Sequence, residues 1–210
     1  MMKSQTIRLW RQTSVTLISL VLSGLLGGFA EAGALSSVVT VPVVAVFHTI
    51  NAAQGQVLPA VFIQIERRED QDPLRLVLTH RPGMVEATYP AVLEAALRNG
   101  LARLNYDTRG LTVSIGFSNS FRFVGGSLSA AVVIGTVGAL EGRTLTPNLV
   151  LTGTVEADGS IGPIADLDTK IAGAGSYSVL YPSVQVASAP RHLQSRPVRT
   201  LQEARLLMLP

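Results

Sequence analysis

Apolar residues recur with two different periods between residues 35 and 210, and these periods predict both strands and helices. The valine-rich or alternating runs typical of strands lie at residues 37–47, 57–66, 74–79, 111–117, 149–155, 160–164, 179–182 and 196–200. Pro42 lacks an amide donor, so the first strand is expected at a sheet edge or with a bulge. The Asp158-Gly159 turn predicts a hairpin between the fifth and sixth strands.

Helical spacing of apolar residues predicts four helices, at residues 85–104, at 127–140, around Lys170, and at 201–209. Pro90 predicts that the first helix begins or kinks there, and Gly142 ends the second. Asp166 or Asp168 is expected to cap the third. Because strands and helices are mixed without a strict βαβ rhythm, the expected fold class is α+β, with mixed sheets packed against helices in a single domain over residues 35–210.

The first 34 residues have the pattern of a secretory signal peptide. Lys3, Arg8 and Arg11 precede an apolar or small-residue run at 15–30, and small-x-small cleavage sites predict a mature N-terminus at Gly33 or Leu35. The protein is therefore expected to be exported, to a periplasm or the extracellular space. The alternative is an uncleaved signal anchor, and only in that case is membrane attachment expected.

Composition excludes several classes of protein. The 210 residues contain no cysteine, which rules out a disulfide framework and any cysteine-ligated metal, and no cofactor is expected. The formal net charge is +3, but removal of residues 1–34 would take away three positive charges and one negative charge. The remaining 14 basic and 13 acidic residues give no reason to expect a nucleic-acid partner.

Lysine is nearly absent from this chain. Of 17 basic residues only Lys3 and Lys170 are lysines, so Lys170 would be the one lysine of the mature protein. Arginine cannot lose its proton in a protein, whereas a desolvated lysine can, which makes Lys170 a candidate general base. The alternative is a solvated surface lysine left by an arginine-rich composition.

Ser127 is the candidate nucleophile, because it lies where a glycine turn enters an apolar helix. Gly125 and Gly126 allow close approach of a substrate, and unsatisfied amide groups at a helix start can hold an oxyanion. None of the three histidines lies in a recognisable motif, and the G-x-S-x-G nucleophile elbow is absent, which favours a lysine base. The alternative role of Ser127 is a simple helix N-cap.

The position of Lys170 suggests a lowered pKa. The sequence places it in the first turn of its helix, where the helix dipole and partial burial both disfavour a charged ammonium group. Asp166 and Asp168 would raise the pKa if their carboxylates approached the amine, and the sequence leaves their direction open.

Several motifs together resemble the proteolytic domain of Lon proteases. Gly125-Gly126-Ser127-Leu128-Ser129 is similar to the family's Gly-x-Ser-Ala-Ser/Gly motif. The similar segments that follow are residues 139–143, 151–155 and 162–171, which are like the family's Leu-Thr/Glu-Gly helix end, its Met-Thr-Gly-Glu hairpin and its Pro-Val-Gly-Gly-Leu-x-x-Lys helix. The register from Ser127 to Lys170 needs no insertion or deletion, and weaker similarity covers most of the mature chain.

This resemblance implies a serine–lysine peptidase, with Ser127 as nucleophile and Lys170 as general base. Thr152 matches a family threonine that hydrogen-bonds near the lysine amine. Ser129 is the alternative nucleophile, but it would require a two-residue gap in the helix before Gly142. The implied substrates are unfolded or flexible polypeptides, and the hexameric rings of Lon proteins suggest a homo-oligomer.

The chain departs from the family pattern in four respects. No acidic residue shortly precedes the serine motif, Ala165-Asp166 replaces a Gly-Gly pair, and Thr154 replaces a glutamate. The chain also has no P-loop for an ATP-driven unfoldase, so ATP-independent cleavage is expected. The competing hypothesis is a Lon-like domain with an idle dyad that serves as a binding or assembly module.

Overall fold

A computed structural model describes residues 38–48, 52–80, 85–117, 125–188 and 195–210 of the chain. These segments contain nine strands and four helices in mixed order, so the expected α+β class is confirmed at that level. The predicted signal segment and cleavage sites, and the Phe123-Val124 pair before the glycine turn, lie outside the described residues.

The larger sheet consists of β1 (Val38–His48), β2 (Ala53–Arg67), β3 (Arg75–Thr79) and β4 (Leu111–Phe117), in the order β1-β2-β4-β3. β1–β2 and β2–β4 are antiparallel, whereas β3 runs parallel to β4. β1 is an edge strand, and its register with β2 shifts between Val41 and Val43. Both features predicted from Pro42 are therefore present, because a residue without an amide hydrogen cannot continue the ladder.

Two helices lie over this sheet. α1 (Tyr89–Arg103) has proline in its first turn, so Pro90 lies at the start of the helix and does not kink it. α2 (Ser129–Glu141) is buried along nearly its whole length and ends at Gly142, which has a φ of 64°. A side chain at Gly135 would collide with Val41 and Ile63, so the missing side chain lets α2 lie directly on β1 and β2.

The predicted strand at 149–155 is wrong in one respect, because it is interrupted. β5 (Leu149–Leu151) pairs parallel with β8 (Ser178–Pro182), whereas β6 (Thr154–Val155) pairs antiparallel with β7 (Ile161–Gly162). Between them, Gly153 donates its amide hydrogen to the carbonyl of Ser127, at 2.7 Å. The backbone leaves the ladder here because it bonds to the turn before α2. The predicted hairpin exists, but only as β6–β7.

The last elements complete the core. α3 (Leu167–Ala172) is a six-residue helix, and β9 (Ser195–Val198) adds a third parallel strand beside β8. α4 (Leu201–Met208) begins at Thr200, whose hydroxyl accepts the amide hydrogen of Glu203. Glu203 in turn accepts the amide hydrogen of Arg199, so two side chains accept amide hydrogens at the start of this helix. α4 and α1 both pack against α2, which therefore lies at the centre of the described residues.

Candidate active site

A cavity of about 360 Å³ lies beside the start of α2. Its walls come from β1, from the glycine turn at 125–128, and from the segment 163–166 that leads into α3. Ser127 and Lys170 both line this cavity, although they are far apart in sequence. Gly125 and Gly126 line it too. The cavity lies within the size range of small-ligand sites in proteins.

Ser127 does not cap a helix. α2 begins at Ser129 and its N-cap position is Leu128, which makes no side-chain capping bond. A capping serine would occupy the position of Leu128. Ser127 lies one residue before that position, so the N-cap alternative is wrong. Its side chain is half-buried and borders the cavity, a position from which a hydroxyl can meet a bound molecule.

Ser129 is placed differently from Ser127. It is only 2 % exposed, and its hydroxyl donates to the carbonyl of Gly126 at 2.8 Å. It does not belong to the cavity lining. Of the two candidate nucleophiles, only Ser127 is therefore accessible from the cavity.

The glycine turn presents backbone donors near Ser127. Gly125 has a φ of 69°, a conformation that glycine adopts without strain. The amides of Ser129 and Ala130 donate to Gly126 and Gly153 carbonyls, at 2.9 and 3.2 Å. In the part of the chain that the structure describes, the amides of Ser127 and Leu128 have no such acceptor. These two N–H groups belong to residues that line the cavity, and they could hold an oxyanion.

Lys170 is a buried amine with only 6 % of its surface exposed. It is the fourth residue of α3 and belongs to the last turn, not the first, so its expected placement is wrong. Burial lowers its pKa to about 8, and the nearby negative charge of Asp166 opposes that shift. Desolvation is thus the physical cause of the lowered pKa, and the expected help from the helix dipole is absent at this position.

Thr152 links the lysine to the serine turn. The Lys170 amine donates to the Thr152 hydroxyl at 3.4 Å, and that hydroxyl donates to the Ser127 carbonyl at 3.1 Å. The backbone amide of Thr152 donates to the carbonyl of Leu180 at 3.0 Å, which holds the threonine beside β8. The break between β5 and β6 therefore positions Thr152 so that its hydroxyl bonds to both Lys170 and the Ser127 carbonyl.

The two aspartates near α3 have separate partners. Asp166 occupies the predicted N-cap position, but its side chain accepts no hydrogen bond from the helix. The prediction is therefore right about the position and wrong about the capping bond. Its carboxylate lies 3.6 Å from the ring of His48, and its φ is 56°. Asp168 accepts the amide hydrogen of Ser188 at 2.7 Å. Within the described residues, neither carboxylate forms an ion pair with Lys170.

The departures from the expected motif have local structural consequences. Asp166 stands where the resemblance implies a glycine, and its positive φ is a conformation that glycine adopts most readily. Aspartate is among the few other residues that tolerate it. Thr154 replaces the expected glutamate, and its hydroxyl donates to Glu156 at 3.0 Å.

Two cavity residues were not predicted from the sequence. Tyr89 fits the apolar spacing of the helix predicted at 85–104 and belongs to the hydrophobic core, yet it also lines the cavity. His48 directly follows the valine-rich run at 37–47, and its side chain is 67 % exposed and lines the cavity. A polar, titratable residue at the end of that run was the available signal for His48. A tyrosine one residue before a helix-starting proline gave no such signal.

The described residues contain no cluster of histidine, aspartate or glutamate that could hold a metal ion. None of the helices in the described segments is long and apolar enough to cross a membrane.

Comparison with known proteins adds no relative to this picture. No protein-family model matches the chain, and a search of curated proteins gave no significant match.

Proposed function

We propose that this protein is an exported, ATP-independent serine endopeptidase in which Ser127 is the nucleophile and Lys170 the general base. The observation that carries the proposal is that both side chains line one cavity, with the amine buried and its pKa lowered to about 8. A lysine in this state can be neutral near physiological pH and can accept a proton. The Lon-like register of the motifs supports the same assignment of roles.

The proposed reaction begins with attack of the Ser127 oxygen on a peptide carbonyl. Lys170 takes the serine proton, and the carbonyl oxygen becomes an oxyanion that the amides of Ser127 and Leu128 can stabilise. The tetrahedral species then releases the amine, which receives the proton from Lys170. Water hydrolyses the resulting serine ester with the same lysine as base, which restores the serine hydroxyl and frees the new carboxylate.

Thr152 has a supporting role in this proposal. Its hydroxyl accepts from the Lys170 amine and donates to the Ser127 carbonyl, so it restrains both groups without reacting. A neutral lysine that donates one hydrogen to Thr152 keeps its lone pair available for the serine proton. We expect unfolded or flexible polypeptides as substrates, as the Lon-like motifs imply.

The test is hydrolysis of a casein-type substrate by wild type and Lys170→Arg between about pH 6 and 10. Arginine keeps the positive charge but cannot act as a base, so its activity should fall at least ~10²-fold at every pH. The wild-type rate should rise with pH with a midpoint near 8, because only the neutral amine is active. Wild-type activity in Lys170→Arg would refute Lys170 as the general base, whereas no hydrolysis by wild type at any pH would favour the binding-module hypothesis.

A further inference from the structure

Tyr89 carries a buried hydroxyl that has no hydrogen-bond partner among the described residues. The residue is 1 % exposed, begins α1 and belongs to both the hydrophobic core and the cavity lining. An unpaired buried hydroxyl is unfavourable, since its desolvation is not offset by a protein partner. Because Tyr89 also lines the cavity, a bound molecule is the candidate partner for this hydroxyl.

The rest of the cavity wall defines what that partner must be. Most of the other side chains that line the cavity are apolar, among them Val43, Leu128 and Ile164. Burial raises the pKa of the Tyr89 phenol, which therefore stays neutral and keeps its proton as a donor. Asp166 and Lys170 both line the cavity, so its charged groups have both signs, and it is the apolar part of the wall that disfavours an anionic ligand group.

We propose that Tyr89 is a specificity-determining residue that donates a hydrogen bond to an uncharged acceptor side chain of a bound polypeptide. Asparagine, glutamine, serine and threonine have such side chains, and the recognised residue is the one whose carbonyl Ser127 would attack. This assignment rests on the proposed function, because it takes a polypeptide as the cavity's occupant. The main-chain carbonyl at the reacting centre would instead use the amides of the serine turn.

The physical basis for selection is the unpaired hydroxyl itself. An asparagine side chain would satisfy it, whereas a leucine of similar shape would leave it unpaired in an apolar wall. One neutral hydrogen bond corresponds to about a fivefold to tenfold difference in affinity. Aspartate at the same position should bind less well than asparagine, because an ionised carboxylate loses more hydration on entering an apolar wall than a neutral amide does.

The experiment measures equilibrium binding of matched peptides that differ only in asparagine, leucine or aspartate at that residue. Full-length Ser127→Ala protein is used, so that binding is separated from hydrolysis. We expect the asparagine peptide to bind about five to ten times more tightly than the leucine peptide. Adding Tyr89→Phe should reduce this ratio to about one. In the active protein, the same change in ratio should appear in KM more than in kcat.

Thermal stability gives an independent readout. Tyr89→Phe removes an unpaired hydroxyl, so Tm should stay level or rise by about 2–4 °C. Tyr106→Phe is the matched control, because the Tyr106 hydroxyl donates to Glu141 and lies outside the cavity lining. That control should lower Tm and leave the asparagine preference unchanged.

The outcomes separate this proposal from the proposed peptidase. Asparagine-selective binding that depends on Tyr89, without hydrolysis by wild type, would support the recognition site and refute the peptidase. Hydrolysis with the same asparagine-to-leucine ratio in wild type and Tyr89→Phe would refute the role of Tyr89. A lower Tm in Tyr89→Phe would also refute it, since the hydroxyl would then have a partner within the protein.

Discussion

Lys170→Met should make the protein more stable at neutral pH while it abolishes hydrolysis. Burial lowers the pKa of Lys170 from the ordinary 10.5 to about 8. At about 1.4 kcal/mol per pKa unit, the folded state pays about 3 kcal/mol to hold the charged ammonium group. Methionine has a similar length and no charge, so it avoids that cost.

The gain from methionine is reduced by what is lost with the amine. The bond to Thr152 is long, at 3.4 Å, and its net contribution is about 1 kcal/mol or less. The Thr152 hydroxyl still has the Ser127 carbonyl as acceptor, so no buried group is orphaned. The expected net gain at pH 7 is therefore about 2 kcal/mol, or a rise in Tm of about 4–8 °C.

The pH dependence of this gain tests its cause. Below pH 8 the lysine is protonated in both the folded and unfolded states, and wild type carries the full penalty. Between about pH 8 and 10.5 the folded state releases the proton while the unfolded state keeps it, so wild-type stability rises with pH. The advantage of Lys170→Met should accordingly shrink over that interval.

Urea unfolding followed by circular dichroism at pH 7 and pH 10 measures both quantities. Lys170→Arg is the control, because it retains a charge that cannot be released and should gain no stability at either pH. A Lys170→Met variant that is no more stable than wild type at pH 7 would refute the desolvation argument. So would a gain of equal size at both pH values, since it could not arise from the proton.

Three further predictions concern the surroundings of the site and the N-terminus. Asp166→Asn removes the charge that raises the pKa of Lys170, so the midpoint of the pH–rate profile should move below that of wild type. Asparagine tolerates the positive φ at this position, and an unchanged midpoint would contradict the prediction. Ser129→Ala should lose about 1 kcal/mol of stability but keep measurable activity, whereas Ser127→Ala should have none; the reverse ranking would show that the register is wrong by two residues. N-terminal sequencing of exported protein should begin at residue 33 or 35, and an intact residue 1 in a membrane fraction would favour the signal anchor.

Short-range chemistry made most of the fold predictable. Pro42 predicted an edge or bulge because it lacks a donor, and β1 has both features. Pro90 and Gly142 mark the start of α1 and the end of α2, because the backbone of each residue favours those positions. These signals work because proline and glycine act on their own backbone and need no distant partner.

The errors arise where a distant partner decides the conformation. The strand at 149–155 is interrupted because Thr152 and Gly153 bond to Ser127, which is 25 residues from Thr152. Aspartate is a residue type typical of the N-cap position, but the backbone of Asp166 adopts a positive φ and its carboxylate faces His48. Neither the interrupted strand nor the conformation of Asp166 has a signature in neighbouring residues, so the local sequence pattern could not predict them.

The candidate site was predictable in its residue types but not in its surroundings. The one lysine expected in the mature protein and a serine at a glycine turn pointed to Lys170 and Ser127, and both line the same cavity. The extent of Lys170 burial depends on the packing of α3, which the sequence does not reveal. Tyr89 could not be recognised, because an apolar helix face accounts for it equally well.

The most direct test of the central claim is covalent labelling by a fluorophosphonate probe, with the modified residue located by mass spectrometry. This measurement needs no knowledge of the natural substrate. We predict modification of Ser127 alone, at a rate that rises with pH with a midpoint near 8, and loss of labelling in both Ser127→Ala and Lys170→Arg. Labelling of another serine, or equal labelling of Lys170→Arg and wild type, would contradict the serine–lysine dyad.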